Sequence, residues 1–519
     1  MLLHCATMGS LKNREIRMTI DRRRFLLSSS AATAYACLAR AQAPVAPATP
    51  PGPAGDNDRP EYHFLAPHNW MNDPNGPIWW KGKYHLFYQL NPNAAVWGDM
   101  HWGHAISKDM VRWQHQPIAL APTPGGPDSE GCFSGSAVVD NGVPAIIYTG
   151  VQNAPPDQAT IRDGSNKLRE TQMLATAQDD QLLHWKKLEK PVIAVPPQGM
   201  TVTGFRDPCP WREADGWYVG IGSGEVGKGG CVLLYRSPDL RSWTYLGKLA
   251  EGAPTGNSGT NPVGSGDMWE CPDFFAIGGT HCLFYSTEGK VIWTTGGYDK
   301  TAHRYTPRHT GVLDHGSYYA PKSFLAPGDR RILWGWIQER RSQEACSQAG
   351  WAGCMSLPRE LHVAAGGGLV MIPAKEVESL RGKVEHIPLT TGAAHRRTVD
   401  NLRHELAFIV HQRPASLAVR IKTGLATPWE LTLDYAAGTV RCGEAIFPLP
   451  ATHDNTPDLR VFFDGSVIET FIGGREAITS RVYGLAPYAA TLEARYDGPG
   501  RVELLHWPLN AISRDRLTT

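Results

Sequence analysis

The chain has 519 residues, 42% hydrophobic and 19% charged, with 51 Lys and Arg against 50 Asp and Glu. That length allows two domains, and the composition is globular rather than disordered or membrane-embedded. The near-neutral charge offers no footprint for nucleic acid or an anionic lipid surface, and ten irregularly spaced cysteines without a CxxC pair match neither a zinc site nor a disulfide framework.

In chain order, the first element is an export signal. "DRRRFLL" (21–27) carries paired arginines, a mildly apolar run follows, and Ala39-Arg40-Ala41 offers a small-residue cleavage site. This predicts a twin-arginine-type signal over 1–41 and a periplasmic or extracellular protein, with a lipoprotein at Cys37 as the minor alternative. Met8 and Met18 are further possible starts. Removing 1–41 takes away seven basic and two acidic side chains and leaves a net charge of about −4. The eight remaining cysteines are expected as buried thiols. Residues 42–60, rich in Pro and Ala, read as a tether that cannot pack a core.

From residue 61 the chain becomes short β-type runs broken by Gly, Pro, Asn and Asp. "SKDMVRW" (107–113), "QDDQLLHW" (178–185) and "SPDLRSW" (237–243) each place an acid four or five residues before a tryptophan, in turns between strand-like runs. Recurrence at that interval in an all-β chain predicts propeller blades of about four strands. The expected propeller spans 61–365, and 366–382 is a linker with a short helical turn in "PAKEVESLRG". Alternating runs over 383–512, such as "WELTLDY" and "SVIETFIGG", predict a β-sandwich.

Three acids stand in unusual surroundings: Asp73 in "HNWMNDPNGPIWW", Asp207 in "FRDPCPW" and Glu270 in "MWECPDFF". Each has a proline one or two residues later, which fixes the local backbone. Blade spacing lets acids far apart in sequence face one axial funnel, and paired carboxylates across a pocket are equipment for glycosidic cleavage. Trp70, Met71, Trp79 and Trp80 are expected to build the pocket wall around Asp73. No GxSxG, P-loop or HExxH motif is present.

Together these blocks resemble glycoside hydrolase family 32, the invertases, inulinases, levanases and fructan exohydrolases. "FYQLNP", "VWGDMHWGHAISKDMVRW", "CFSGSAV", "SYYAPKSF", "GWAGCMSLPREL" and "LRVFFDGSVIETF" extend the likeness along nearly the whole chain after residue 61, several of them closest to the plant-type acid invertase and exohydrolase branch. The resemblance implies a five-bladed propeller followed by a sandwich. It implies Asp73 as nucleophile toward C2 of a β-fructofuranosyl unit, Glu270 as acid/base and Asp207 as transition-state stabiliser, with retention and a carboxyl separation of ~5–5.5 Å. It also implies substrate contacts from Asn72, Gln89, Trp97, Phe133, Ser134, Arg206 and Tyr319. For Trp97 and Phe133, blade packing is an equal alternative, and Gln89 could simply face inwards. Arg206 beside Asp207 is expected to keep it ionised, and Trp269 and Cys271 around Glu270 to keep it protonated.

The implied activity is an exo-acting β-fructosidase on sucrose or fructans, needing no metal or cofactor, with no nucleic-acid or membrane partner. A fructosyltransferase and a non-catalytic fructan-binding protein are the alternatives, and monomer and homodimer both stay open. Two departures bear on specificity. Phe133 stands where the plant-type branch often has Trp, and "SGTNPVGSGDMW" lacks the lysine common in true invertases of that branch. "PGGPDSEG" (124–131) is expected to form a rim loop.

Overall fold

A computed structural model describes residues 56–253, 266–423, 428–454, 456–484 and 490–513. The expected export signal, and the tether up to residue 55, lie outside the described residues. Five sheets follow one another along the chain. Blade 1 holds Asn69–Trp80, Lys83–Asn91, His101–Ser107 and Trp113–Leu120, blade 2 Gly131–Asp140 through Trp185–Lys187, and blade 3 Val202–Glu213 through Thr244–Glu251. Blade 4 runs from Glu270–Ile277 to Arg304–Val312, and blade 5 from Tyr318–Ala326 to Leu369–Pro373. The first strands of the five blades touch one another in a closed ring, which makes them the innermost strands of a propeller. Trp351–Ala352, on the way out of blade 5, adds in parallel to Asn69–Trp80 and closes the circle.

Local chemistry explains the repeat. Lys81-Gly82, Asn141-Gly142 and Gly278-Gly279 all have positive φ, the backbone of type I′ turns, which match the twist of a tight hairpin. The echoed acids cap the outer turns. Asp109 accepts the N–H of Val111 and Arg112, and Asp239 those of Arg241 and Ser242. The indoles of Trp113, Trp185 and Trp243 donate back to the carbonyls of Met110, Leu182 and Leu240, which stand at positive φ. In the second copy the capping acid is Asp179, six residues before Trp185; Asp180 is an exposed partner of Lys81. Asp299 caps the corresponding turn of blade 4, where no tryptophan marks the sequence.

Two further expectations are corrected. The segment 366–382 contains the last strand of blade 5, Leu369–Pro373, followed by a 3₁₀ turn over Lys375–Leu380, so the propeller extends to Pro373. The end of the tether is also built in. Arg59 is buried and donates to the carbonyls of Ala66 and Pro67, and the carbonyl of Asp58 accepts the N–H of Ser466.

The remaining chain forms two six-stranded antiparallel sheets around one apolar core that includes Phe408, Val419, Leu431 and Val461. Trp429–Asp434 alternates buried and half-buried residues, the signature of a sheet with one inward face. This β-sandwich is welded to the propeller by polar contacts. His315 and Ser317 donate their N–H groups to Ala477 and Thr479, and Gly316 sits so close that a Cβ would lie 1.9 Å from the Thr479 carbonyl. Arg359 reaches Asp314 at 2.9 Å and Glu469 at 2.5 Å with no exposed side-chain surface. His63 bridges Asp464 at 2.8 Å and Glu469 at 2.9 Å.

Burial pushes the His63 pKa down, but its two carboxylate partners outweigh that and raise it to about 9. A group whose folded pKa is raised stabilises fully below its unfolded value, about 6.5, and loses that contribution as pH climbs through 9. The interface is therefore expected to lose about 3 kcal/mol between pH 6.5 and 9. Urea unfolding across that range checks it, and His63→Gln flattens the dependence.

Candidate active site

The innermost strands share a defect. Their pairing slips between Met71 and Pro74, Phe133 and Gly135, Glu270 and Asp273, and Tyr319 and Lys322, and opposite Gly220 and Gly222 in blade 3. A β-bulge re-aims a side chain out of the regular alternation, and here these five bulges present Asp73, Ser134, Asp207, Cys271 and Tyr319 to one cavity. Asp207, Cys271 and Ala320 adopt positive φ at these points, and each is followed by proline. A non-glycine residue in that region costs on the order of 1–3 kcal/mol, a strain that the surrounding sheets hold in place.

The bulges line one cavity of about 1040 Å³. All ten residues expected at the site line it: Asn72, Asp73, Gln89, Trp97, Phe133, Ser134, Arg206, Asp207, Glu270 and Tyr319. Asp73 Oδ1 accepts from Asn72 Nδ2 at 3.0 Å, and Oδ2 from Ser134 Oγ at 2.7 Å. The Trp70 indole donates to Asn72 Oδ1 at 2.7 Å and so turns the amide nitrogen toward Asp73. Asp207 Oδ2 accepts the backbone N–H of Cys271 at 2.8 Å, and Cys271 Sγ lies 3.5 Å from both Asp207 and Asp73. Glu270 is clamped by Arg206 at 2.7 Å on one oxygen and by the Tyr319 hydroxyl at 2.7 Å on the other.

The aromatic wall is not the one expected. Trp79 and Trp80 lie at the far end of a 12-residue strand, where Trp79 packs on Tyr84 and Trp80 on Lys81. At ~3.3 Å per residue, six positions carry Trp79 some 20 Å from Asp73. Trp97, 56% exposed and set edge-on to Phe133, supplies apolar surface instead, together with Trp336 and Met268. Trp97 therefore faces the cavity rather than packing blades. Gln89 also lines it while donating to the Cys132 carbonyl. The segment 124–131 serves two purposes: Glu130 lines the cavity, while buried Asp128 is locked by Lys187 and Tyr148.

The electrostatics reverse the expected pattern. Burial raises Asp207 to about 6, the nearby Arg206 charge notwithstanding, with Glu270 and Asp73 adding to the rise. Burial would also raise Glu270, but Arg206 and Tyr319 outweigh it and hold its carboxyl below the usual range. Asp73 is raised, first by burial and then by the Glu270 charge, against the donors Asn72 and Ser134. Arg206 serves Glu270 rather than its chain neighbour because Glu170 of blade 2 pins it. One Glu170 oxygen holds the guanidinium at 3.0 Å and the other the Phe205 N–H at 2.5 Å. Thr149 and Gln172 complete the brace, accepting the Asp207 N–H and donating to the Phe205 carbonyl. Glu170 was missed in the sequence, and Cys271, expected only as apolar surroundings for Glu270, instead contacts Asp207 and Asp73. The available signal was Glu170 and Gln172 two residues apart, on the same face of a strand that continues into the apolar run Met173–Leu174–Ala175.

Comparison with known proteins agrees with this geometry. The family model "Glycosyl hydrolases family 32 N-terminal domain" matches residues 63–373, and the "Glycosyl hydrolases family 32 C terminal" model matches 423–503. The chain is 36% identical over 473 residues to the Escherichia coli sucrose-6-phosphate hydrolase, covering 83% of this chain and 90% of that one. It is 36% identical over 379 residues to the insoluble β-fructofuranosidase isoenzyme 2 of Oryza sativa subsp. indica, 66% and 60% of the two chains. Among solved structures, the Bombyx mori β-fructofuranosidase BmSUC1 superposes with a TM-score of 0.73 at 29% identity over 88% and 95% of the chains. Fructan 1-exohydrolase IIa of Cichorium intybus gives 0.70 at 29% over 88% and 98%. With its five blades, its sandwich and its three converging carboxylates, the chain belongs to glycoside hydrolase family 32 and is a glycosidase of the β-fructofuranosidase type.

Proposed function

We propose that the enzyme is an exported, exo-acting hydrolase that removes terminal β-D-fructofuranosyl units from sucrose or fructans with retention. The observation that carries this reading is the convergence of Asp73, Asp207 and Glu270 from three blades in one cavity walled by all five. A cavity ringed on all sides admits a chain end rather than the middle of a polymer. Solved relatives support the substrate class: the Bombyx mori enzyme was determined with sucrose and the Cichorium intybus exohydrolase with 1-kestose.

In this mechanism an Asp73 oxygen attacks C2 while the Glu270 proton passes to the departing glycosidic oxygen. Glu270 then takes a proton from water, which attacks C2, releases Asp73 and frees fructose with its anomeric configuration retained. Asp207 Oδ1, opposite the oxygen tied to Cys271, accepts from fructose hydroxyls. Burial and neighbouring charges divide protons unevenly among the three carboxyls, with Glu270 the weakest holder. Sugar hydroxyls donating to Asp73 and Asp207 favour their ionised forms and leave the shared proton to Glu270.

The competent state holds one proton among three carboxyls, and that proton departs as pH rises through the Asp207 value of about 6. The kcat/KM profile is therefore expected to be bell-shaped with a mildly acidic optimum and an alkaline limb near pH 6. An alkaline optimum in a steady-state pH series contradicts the assignment.

Product analysis on sucrose, inulin and levan, with Glu270→Ala as blank, tests the function. Free fructose supports hydrolysis and identifies the substrate, longer oligosaccharides indicate transfer, and no product above the blank contradicts an enzyme. Export rests on the paired arginines before the apolar run. Activity in the periplasmic or extracellular fraction supports it, and activity confined to the cytoplasm contradicts it.

A further inference from the structure

We infer that the site selects against a phosphorylated leaving group, so that its substrate is an uncharged sugar or fructan rather than a sugar phosphate. This rests on the fructosidase reading above and concerns the part of the substrate beyond the fructosyl unit. Among the described residues, eight carboxylates line the cavity against two guanidiniums, and no lysine or histidine does. Arg206 is committed to Glu170 and Glu270. Arg162 spends one nitrogen on the carbonyls of Ala159 and Ile161, and its next neighbour is the exposed Asp163.

Asp99, Glu130, Asp163 and Asp267 are all exposed where they line the cavity, and they come from four separate stretches of blades 1, 2 and 4.

A phosphate monoester carries about −1.5 to −2 charge at neutral pH and is normally met by arginine forks or lysines. Here a phosphate on the leaving sugar would enter a ring of like charge. Four carboxylates at roughly 8 Å, reduced by ordinary ionic strength, weaken its binding about tenfold. The discrimination is repulsive, a penalty on the wrong substrate rather than a gain on the right one. It also separates this chain from relatives named for sucrose 6-phosphate, one of them 36% identical over 473 residues.

The test is kcat/KM on sucrose and on sucrose 6-phosphate, measured with the same full-length enzyme at low and high salt. The expected result is a rate constant at least about tenfold lower for the phosphate, expressed in KM, with the gap closing as salt rises. Glu130→Lys/Asp267→Lys is expected to narrow the ratio by lowering KM for the phosphate. Equal or faster turnover of the phosphate overturns the inference while leaving the fructosidase reading intact. A poor phosphate rate that ignores both salt and the charge reversal overturns its electrostatic basis. Fructose from neither substrate, nor from any fructan, instead removes the underlying reading.

Discussion

Asp73→Ala is expected to reduce turnover of sucrose and fructans by roughly ten-thousand-fold or more, the scale of removing a covalent nucleophile. The fold should persist. Burial and the Glu270 charge raise the Asp73 pKa, so the carboxylate is an electrostatic burden on the fold, and its removal relieves repulsion with Glu270. Thermal unfolding is therefore expected within a few degrees of wild type, or slightly above it, as is common when a strained functional group is deleted. What remains, Ser134 and Asn72 without their shared acceptor, borders an open cavity where water can replace it. Steady-state rates beside a melting curve decide the matter. Substantial residual activity in a well-folded variant removes Asp73 from the nucleophile's place.

The second large effect concerns Glu270. Glu270→Ala is expected to cost about a thousand-fold on sucrose, where the departing alkoxide needs a proton. On an aryl β-fructofuranoside with an acidic phenol, the first step needs little protonation and falls far less. The second step still lacks its base, so a burst of phenol followed by slow turnover should appear, and the alkaline limb of the kcat/KM profile, which reports loss of the acid's proton, should vanish. Stopped-flow release of the phenol reads both. An equal loss on the two substrates would make Glu270 a structural partner of Arg206 rather than the proton donor. Arg206 is the residue to watch in such variants, because without Glu270 it keeps Glu170 as its ion-pair partner and has Asp207 as the other nearby negative charge.

The sequence exposed the local parts of this site well. Asp73, Asp207 and Glu270 each sit beside a proline in a short block, and the bulges that aim them are properties of those few residues. The blade repeat was visible for a similar reason, since an Asp capping its own turn is a contact within six residues. Contacts between blades were not visible. Arg206 looked like the partner of Asp207 because the two are adjacent. Glu170, 36 positions earlier, pulls the guanidinium the other way, and that reverses which carboxyl is held ionised. Trp79 and Trp80 were misplaced because a β-strand carries neighbours in sequence far apart in space. The end of the propeller was missed because Leu369–Pro373 is a five-residue strand directly after three glycines, which read as a linker.

The central claim is a covalent fructosyl-enzyme on Asp73. Glu270→Ala, mixed with the aryl fructoside and quenched in acid during the slow phase, should carry one anhydrofructosyl group. Peptide mapping by mass spectrometry is predicted to place that group on the fragment containing Asp73 and to leave Asp207 unmodified. A label on Asp207, or no label together with first release of fructose in the inverted configuration, contradicts the account.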